Sequence, residues 1–456
     1  MPTVNGDLPS GSSPEEFSAR AFGAPDPRAA AGLVLAPFRG VRFDPRRVGG
    51  LAAVTSPPYD LIDDQAVRAL LDGDGHNVAR LIRSRAAGAD HAEAAATLRR
   101  WLADGSLAPD DRPALYVYEA AEGARVLQRG LIGALGLRAE GDGVVLPHEN
   151  VYPGPVRDRL ALMTATRANL EPILLTYEGG AATAAIVDRA ADADPLVAFL
   201  DRDGLTHRLW SITDPRLHAE IARDLLPRRA LIADGHHRYA TYRLLQARQD
   251  GPGPCDYGMA LLVDSTRYPP RLSAIHRVVP GLPPERAAAA ARTAFTVAPQ
   301  PDPDTGLAAL AAARGPAFLL GGPDDLHLLT DPDPARLARV LPPDASPLLR
   351  SLNTTVLDRL LIADVWDLPA SAVEIVHDDP RAALDLARAT GGTAVLLNPL
   401  SVEDVTALAA RGERVPRKST SFGPKPRSGL VLRLLDLPDH DDPADDPAGN
   451  PSGNCG

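Results

Sequence analysis

The segment at residues 231–241, LIADGHHRYAT, constrains the fold of this chain more than any other. An apolar run ends in an acid and a glycine, two histidines and an arginine follow, and a helix-like pattern then begins. This order predicts a strand, a tight loop and a helix N-terminus. Backbone N–H groups and the helix dipole make such an N-terminus attractive to anions. Core packing does not explain so much polarity at one turn, and the segment therefore predicts an anion-binding site.

Each polar residue of this turn can serve a bound phosphate. Arg238 can bind phosphate oxygens in a bidentate manner, and Gly235 lets the backbone approach a ligand closely. His236 and His237 can donate hydrogen bonds or protons. Two other interpretations stay open. Asp234 could simply cap a helix that carries exposed histidines, or the histidines could bind a metal, although adjacent histidines lack the i,i+4 spacing of helical zinc ligands.

The composition of the 456-residue chain limits its partners. A net charge of −11 argues against bulk binding to nucleic acids or anionic membranes, but it is compatible with a local basic pocket. The two cysteines, Cys255 and Cys455, do not support a disulfide framework or a cysteine zinc site. No window approaches about 18 uninterrupted apolar residues, so we expect no membrane span. The N-terminus lacks the basic and apolar regions of a signal peptide, and a cytoplasmic protein is expected.

Strands and helices alternate irregularly along the chain, which predicts a mixed α/β or α+β fold. Residues 346–365 have the pattern of one long helix. The expected segments are a disordered N-terminal tail at 1–30, an N-terminal α/β segment at 31–135, a phosphate-binding core at 136–282, a C-terminal α/β segment at 283–436 with a basic loop at 416–427, and a disordered acidic tail at 437–456.

Two further loops carry residues suited to catalysis or phosphate binding. In PHEN at residues 147–150, Glu149 beside His148 can form a base with a tuned pKa, although a solvated loop glutamate is the simpler interpretation. The basic loop at 416–427 can hold a phosphate or a carboxylate, or it can be merely exposed. Its candidate ligands are Lys418, Ser419, Thr420 and Lys425.

The segment SPPYD at residues 56–60 forms a rigid turn, because Pro57 and Pro58 fix the backbone φ angle. Turn architecture alone is a sufficient explanation of this segment. The chain contains no P-loop, kinase glycine-rich loop, GxSxG elbow or HExxH motif. Common ATPase and hydrolase mechanisms are therefore disfavoured.

Five motifs together resemble a bacterial and archaeal family known as domain of unknown function one thousand and fifteen. They are SPPYD, HEN, ADGHHRYAT, NPLSVEDV and GERVPRKSTSFGPKPRSGLVLR. Their order and spacing match the family from about residue 33 to residue 436, and the chain is identified as a member on that basis. The family name carries no function.

A more distant resemblance does carry a function. A His-Glu loop followed by Asp-Gly-His-His-Arg at the head of a helix resembles the SerK-type free-serine kinases of the ParB/sulfiredoxin-like superfamily. The resemblance implies a ParB/sulfiredoxin-like core with flanking α/β segments, ATP or ADP as nucleotide, and Mg²⁺. It implies Glu149 as the catalytic base, with His148 and His237 as further catalytic candidates. The residues it places around the phosphates are Asp234, Gly235, His236, His237 and Arg238, to which the basic loop adds Lys418, Ser419, Thr420 and Lys425.

The leading hypothesis is a nucleotide-dependent small-molecule kinase that phosphorylates a hydroxyl, with free L-serine as one candidate acceptor. The expected partners are a nucleotide and a small-molecule substrate; a homodimer is considered, whereas a membrane or nucleic acid is not expected. One alternative is a regulatory protein that binds nucleotide without catalysis. The other is a metal-dependent hydrolase that uses His148, His236 and His237, although the leading hypothesis assigns no metal ligands in the protein.

Overall fold

In the computed structural model, which describes residues 27–28, 30–322 and 325–437, two large β-sheets organise the chain. Nearly all of the two predicted disordered tails, 1–30 and 437–456, lies outside the described residues. The described part of the chain contains no helix that is long and apolar enough to cross a membrane.

The first sheet and its helices come from residues before 265. The strands of this part are β1 (Leu35–Ala36), β2 (Val41–Phe43), β3 (Leu107–Pro109), β4 (Leu115–Glu122), β5 (Arg125–Gly136), β6 (Val145–Leu146), β7 (Ala168–Asn169), β8 (Ile173–Tyr177), β9 (Val197–Leu200), β10 (Leu205–Ile212), β11 (Ala230–Asp234) and β12 (Tyr257–Asp264). The helices are α1 (Leu51–Val54), α2 (Asp64–Gly73), α3 (Ala79–Ile82), α4 (His91–Ala103), α5 (Pro153–Thr166), α6 (Ala181–Ala191), α7 (Pro215–Leu225) and α8 (His236–Gln246), with 3-10 turns at Glu140–Asp142 and Pro254–Asp256.

The nine-stranded sheet is mixed. Its order is β6-β11-β8-β12-β5-β4-β10-β9, with β1 pairing beside β5. The pairs β6–β11 and β8–β12 are parallel, whereas the other neighbours in this order run antiparallel. Every residue of β12 is buried, as expected for an apolar central strand covered on both faces. Because β11 pairs in parallel with the edge strand β6, both strands end at the same side of the sheet. The polar loops that follow β6 and β11 therefore lie close together.

The remaining elements come from residues after 270. The strands are β13 (Arg271–Ser273), β14 (Ile275–Val279), β15 (Thr296–Gln300), β16 (Phe318–Gly321), β17 (Leu326–Thr330), β18 (Glu374–His377), β19 (Thr393–Leu396), β20 (Ser421–Gly423) and β21 (Arg433–Leu434). The helices are α9 (Pro284–Ala291), α10 (Pro303–Ala312), α11 (Pro334–Val340), α12 (Pro347–Ser351), α13 (Asn353–Val356), a π-helix (Leu357–Val365), α14 (Pro380–Thr390) and α15 (Val402–Ala410), with a 3-10 turn at Ala370–Ala372.

The second large sheet is antiparallel throughout, in the order β15-β17-β16-β19-β14-β18. Between the two large sheets, β13 pairs with β20, so that Leu272 lies opposite Phe422. Hydrogen bonds from Gln128 in β5 to the Pro424 carbonyl and from Arg277 in β14 to the Lys418 carbonyl tie the basic loop at 416–427 to both sheets. The mixed sheet, the antiparallel sheet and the helices confirm the predicted α+β class.

The predicted single helix at 346–365 is wrong, because the chain is extended at Leu352 (φ −64°, ψ 134°). Leu352 packs into the core of the nine-stranded sheet, whereas Val356 packs into the core of the six-stranded sheet. One straight helix could not place both side chains in these two cores.

The predicted segment boundaries remain predictions. Strands from both sides of the expected division at 135/136 pair in one sheet, where Ala134 lies opposite Met259.

Candidate functional site

The predicted strand, tight loop and helix at residues 231–241 are confirmed. Gly235 joins them in the left-handed region (φ 97°, ψ 28°), and an added Cβ would lie 2.7 Å from Cγ2 of Ile173. Both observations require glycine. The first intrahelical hydrogen bond of α8 runs from the N–H of Tyr239 to the carbonyl of Gly235 at 2.9 Å. The N–H groups of the first turn therefore have no carbonyl within the helix and can face an anion.

Arg238 is buried and its guanidinium holds the turn together. Nη1 donates to the carbonyl of Pro172 at 2.6 Å, and Nη2 donates to Oδ2 of Asp234 at 2.6 Å. The guanidinium also lies over the ring of Tyr59, 5.7 Å from its centroid. These contacts give Arg238 a structural task at the site. Its predicted bidentate contact with phosphate remains a prediction.

A row of alternating charges crosses the site. The Lys425 ammonium lies 2.7 Å from Oδ1 of Asp234 and 2.5 Å from Oδ2 of Asp60. Although burial opposes the shift, these two carboxylates raise the pKa of Lys425. The charges of Lys425 and Arg238 in turn lower the pKa of Asp234 against the effect of burial. From the sequence, Asp60 was expected only to be held by the rigid SPPYD turn, whereas the structure places its carboxylate against Lys425.

His148 and Glu149 meet the basic loop through one hydroxyl. The Thr420 Oγ1 atom lies 2.9 Å from Nε2 of His148 and donates to Oε1 of Glu149 at 2.9 Å. Burial lowers the pKa of His148 to about 3 and raises the pKa of Glu149. Glu149 also experiences the charges of Lys418, Asp234 and Lys425. The alternative of a solvated loop glutamate does not fit this partly buried, hydrogen-bonded carboxylate.

The two histidines of the turn accept hydrogen bonds from the backbone. Nε2 of His236 accepts from the N–H of His148 at 3.2 Å, and Nε2 of His237 accepts from the N–H of Tyr152 at 3.1 Å. Each ring therefore carries its proton on Nδ1 in the neutral state. Burial is the main cause that lowers the pKa of both rings. Nε2 of His148, His236 and His237 is engaged in a hydrogen bond in each case, so a metal at Nε2 would have to displace these contacts.

The basic loop presents unsatisfied donors. Lys418 is exposed, has a left-handed backbone (φ 56°), and makes no ion pair with another described residue. The buried Oγ of Ser419 has no hydrogen-bond partner in the described part of the chain. Residues 417 and 418 form a hydrogen-bonded turn, in which Lys418 has the left-handed backbone. Backbone N–H groups around a left-handed residue in a turn can point into one concavity and form a nest that binds anions.

Two residues outside the predicted set shape this loop. Arg277, buried in β14, donates from Nη2 to the carbonyl of Lys418 at 2.9 Å, and thereby ties the loop to the six-stranded sheet. Tyr152 lies under the Arg417 guanidinium, 4.8 Å from its ring centroid, and stacks on His237 at 6.0 Å. Neither contact is local in sequence, so no sequence pattern indicates the role of Arg277 or Tyr152.

The residues present fit a phosphate-bearing ligand better than a metal held by the protein alone. No group of three or more His, Cys, Asp or Glu side chains among the described residues could hold a metal ion. A Mg²⁺ ion bound mainly through nucleotide phosphates needs only one or two protein carboxylates. Asp60 and Asp234, which contact Lys425 of the basic loop at 2.5 Å and 2.7 Å, are the carboxylates available for that task.

The chain is similar to several solved structures at low identity. SbnI with a C-terminal truncation, from Staphylococcus aureus, is 15% identical over 69% of this chain and 91% of that chain, with a TM-score of 0.37. A conserved hypothetical protein from Pyrococcus furiosus is 15% identical over 64% of this chain and 93% of that chain, with a TM-score of 0.34. A free serine kinase in complex with AMP is 15% identical over 61% of this chain and 83% of that chain, with a TM-score of 0.33.

No curated protein matches the chain. A family model described as "Protein of unknown function (DUF1015)" matches residues 35–355. The match covers most of the chain and includes the SPPYD, HEN and DGHHR motifs. The protein therefore belongs to the DUF1015 family.

Proposed function

We propose that this site transfers a phosphoryl group from a nucleotide to the hydroxyl of a small molecule. One observation carries the proposal. The Glu149 carboxylate has one oxygen held by Thr420 and the other without a hydrogen bond to a described residue, within reach of the charges of Lys418 and Lys425. A carboxylate held in this way beside free cationic and N–H donors suits a base that faces a bound phosphate.

The donors available to phosphate oxygens come from two elements. The basic loop offers the Lys418 ammonium and the Ser419 hydroxyl, and α8 offers the N–H groups of its first turn. Lys425 and Arg238 already bind carboxylates and would hold these elements in place. Phosphoryl transfer depends mainly on such positioning and charge neutralisation, to which a Mg²⁺ ion on the phosphates would contribute when bound.

In the proposed reaction, the acceptor oxygen forms a bond to the terminal phosphorus while the bond from that phosphorus to the leaving nucleotide breaks. The acceptor's hydroxyl proton passes to the Glu149 carboxylate. Burial raises the pKa of Glu149, which moves it toward the range in which a carboxylate is an effective general base near neutral pH. The motif resemblance makes ATP or ADP the first donors to test, and free L-serine the first acceptor, for a protein expected in the cytoplasm.

The test uses the purified full chain with Mg²⁺, ATP or ADP, and a panel of hydroxyl-bearing metabolites that includes L-serine. Calorimetry measures nucleotide binding, and mass spectrometry detects the phosphorylated acceptor. The proposal predicts saturable nucleotide binding and a product that carries one added phosphate. A chain that binds neither nucleotide contradicts it.

The alternatives predict different results in the same experiment. A regulatory nucleotide-binding protein would bind nucleotide without product and would be indifferent to Glu149→Gln. A metal-dependent hydrolase would contain about one zinc or iron per chain, which metal analysis of the purified protein would detect. The engaged Nε2 atoms of His148, His236 and His237 give no support to that last alternative.

A further inference from the structure

The Thr420 hydroxyl connects a buried imidazole to the carboxylate proposed as the base. It lies 2.9 Å from Nε2 of His148 and 2.9 Å from Oε1 of Glu149. A hydroxyl has one proton to donate and can accept through its lone pairs. Thr420 therefore cannot donate to both neighbours at once, and the direction of the two hydrogen bonds is linked.

The ionised state of Glu149 fixes that direction. A carboxylate only accepts hydrogen bonds, so Thr420 donates its proton to Glu149 and must accept from His148. His148 then carries its proton on Nε2. The backbone of Ile232 acts on the His148 ring and favours its protonation, but Nδ1 makes no hydrogen bond of ordinary geometry in the described part of the chain. The Thr420 contact at Nε2 is therefore the hydrogen bond that selects the tautomer.

His148 is held in a fixed position at one end of this series of hydrogen bonds. It is fully buried, its carbonyl accepts from the N–H of Val415 at 2.9 Å, and its own N–H donates to His236 at 3.2 Å. The ring packs against Phe422 with centroids 5.5 Å apart. Val415 and Phe422 flank Thr420 in sequence, so the same contacts fix the imidazole and the hydroxyl relative to each other.

We infer that Thr420 is a positioning residue, which orients one oxygen of Glu149 and stabilises its ionised form so that the other oxygen can accept the acceptor's proton. This inference rests on the proposed function. It assigns Thr420 a task different from the phosphate contact predicted from sequence, and it leaves Lys418 and Ser419 as the loop's phosphate donors.

Removal of the hydroxyl should change the titration of Glu149. The charged groups that act on this carboxylate are Lys418 and Lys425, which favour ionisation, and Asp234, which opposes it. The hydrogen bond from Thr420 favours ionisation as well. A hydrogen bond to a charged group is worth enough to move a pKa by roughly one unit. Thr420→Val should therefore raise the pKa of Glu149 by about one unit, whereas Thr420→Ser keeps the donor.

The experiment measures kcat and KM against pH for the wild type, Thr420→Val and Thr420→Ser. Thr390→Val is the matched control, because the Thr390 hydroxyl donates to the carbonyl of Leu386 at the end of α14. Thr420→Val should lower kcat about tenfold or more and shift the acidic limb of the pH profile of kcat upward by roughly one pH unit. The KM for nucleotide should stay within about twofold of the wild-type value. Thr420→Ser and Thr390→Val should stay within about threefold of the wild type. An unchanged kcat and acidic limb in Thr420→Val would overturn the inference.

A second measurement does not need turnover. NMR of protein labelled with ¹³C in the glutamate carboxyls follows the titration of Glu149, assigned with Glu149→Gln, and ¹⁵N-histidine spectra report the tautomer of His148. The inference predicts Nε2–H on His148 and a Glu149 pKa that rises in Thr420→Val. A His148 proton on Nδ1, or an unchanged Glu149 pKa, overturns it. If the wild type shows no phosphoryl transfer while both NMR predictions hold, the proposed function fails and the positioning contact stands.

Discussion

Acid should destabilise this protein through His148, and the size of the effect follows from its burial. The ring is fully buried, and burial lowers its pKa from the ordinary 6.5 to about 3. A histidine with a depressed native pKa contributes stability above the pKa of the unfolded chain and loses it as pH falls toward the native value. Between pH 7.5 and pH 5.0 the unfolded state takes up a proton that the native state does not, which costs about 2 kcal/mol.

His148→Gln isolates this contribution. The glutamine amide can donate to Thr420 in place of Nε2–H but cannot be protonated. Urea denaturation followed by circular dichroism, at pH 7.5 and pH 5.0, gives the loss in the free energy of unfolding for each protein. The wild type should lose about 2 kcal/mol more than the variant over this interval. Equal losses would show that the imidazole titrates normally and would refute the burial argument.

Three further predictions concern the turn and the basic loop. Gly235→Ala should lower the free energy of unfolding by about 1–3 kcal/mol, because φ is 97° and the new Cβ would meet Ile173. An unchanged free energy of unfolding in urea denaturation would contradict this. Lys425→Met should destabilise by about 1–3 kcal/mol, because Asp234 loses one partly buried partner but keeps its ion pair with Arg238; a melting temperature that does not fall would contradict this. Lys418→Met should weaken nucleotide binding about tenfold in calorimetry, and Lys418→Arg much less; equal affinities would remove Lys418 from the phosphate site.

The local elements could be predicted from sequence because their signals are local. The apolar run before Asp234, the glycine after it and the periodic pattern beyond specify the strand, the turn and α8. The long helix expected at 346–365 could not be excluded in this way, because only the packing of Leu352 and Val356 in different cores breaks it.

The assembly of the site depends on contacts that sequence patterns do not encode. Thr420 reaches Glu149 across 271 positions of the chain, and Lys425 reaches Asp60 across 365. The sequence identified most of these residues by their chemistry but not their partners. It therefore assigned Arg238 to phosphate, whereas burial beside the Pro172 carbonyl gives this guanidinium a structural partner.

Glu149 is the proposed base of the phosphoryl transfer. The most direct test is a single-turnover reaction with saturating nucleotide and an acceptor that the wild type phosphorylates, in which the wild type, Glu149→Gln and Glu178→Gln are compared. Glu178 is exposed and lies outside the site. We predict that Glu149→Gln binds nucleotide within about twofold of the wild type and transfers phosphate at least about 100-fold more slowly, while Glu178→Gln matches the wild type. Transfer by Glu149→Gln at the wild-type rate would contradict the account.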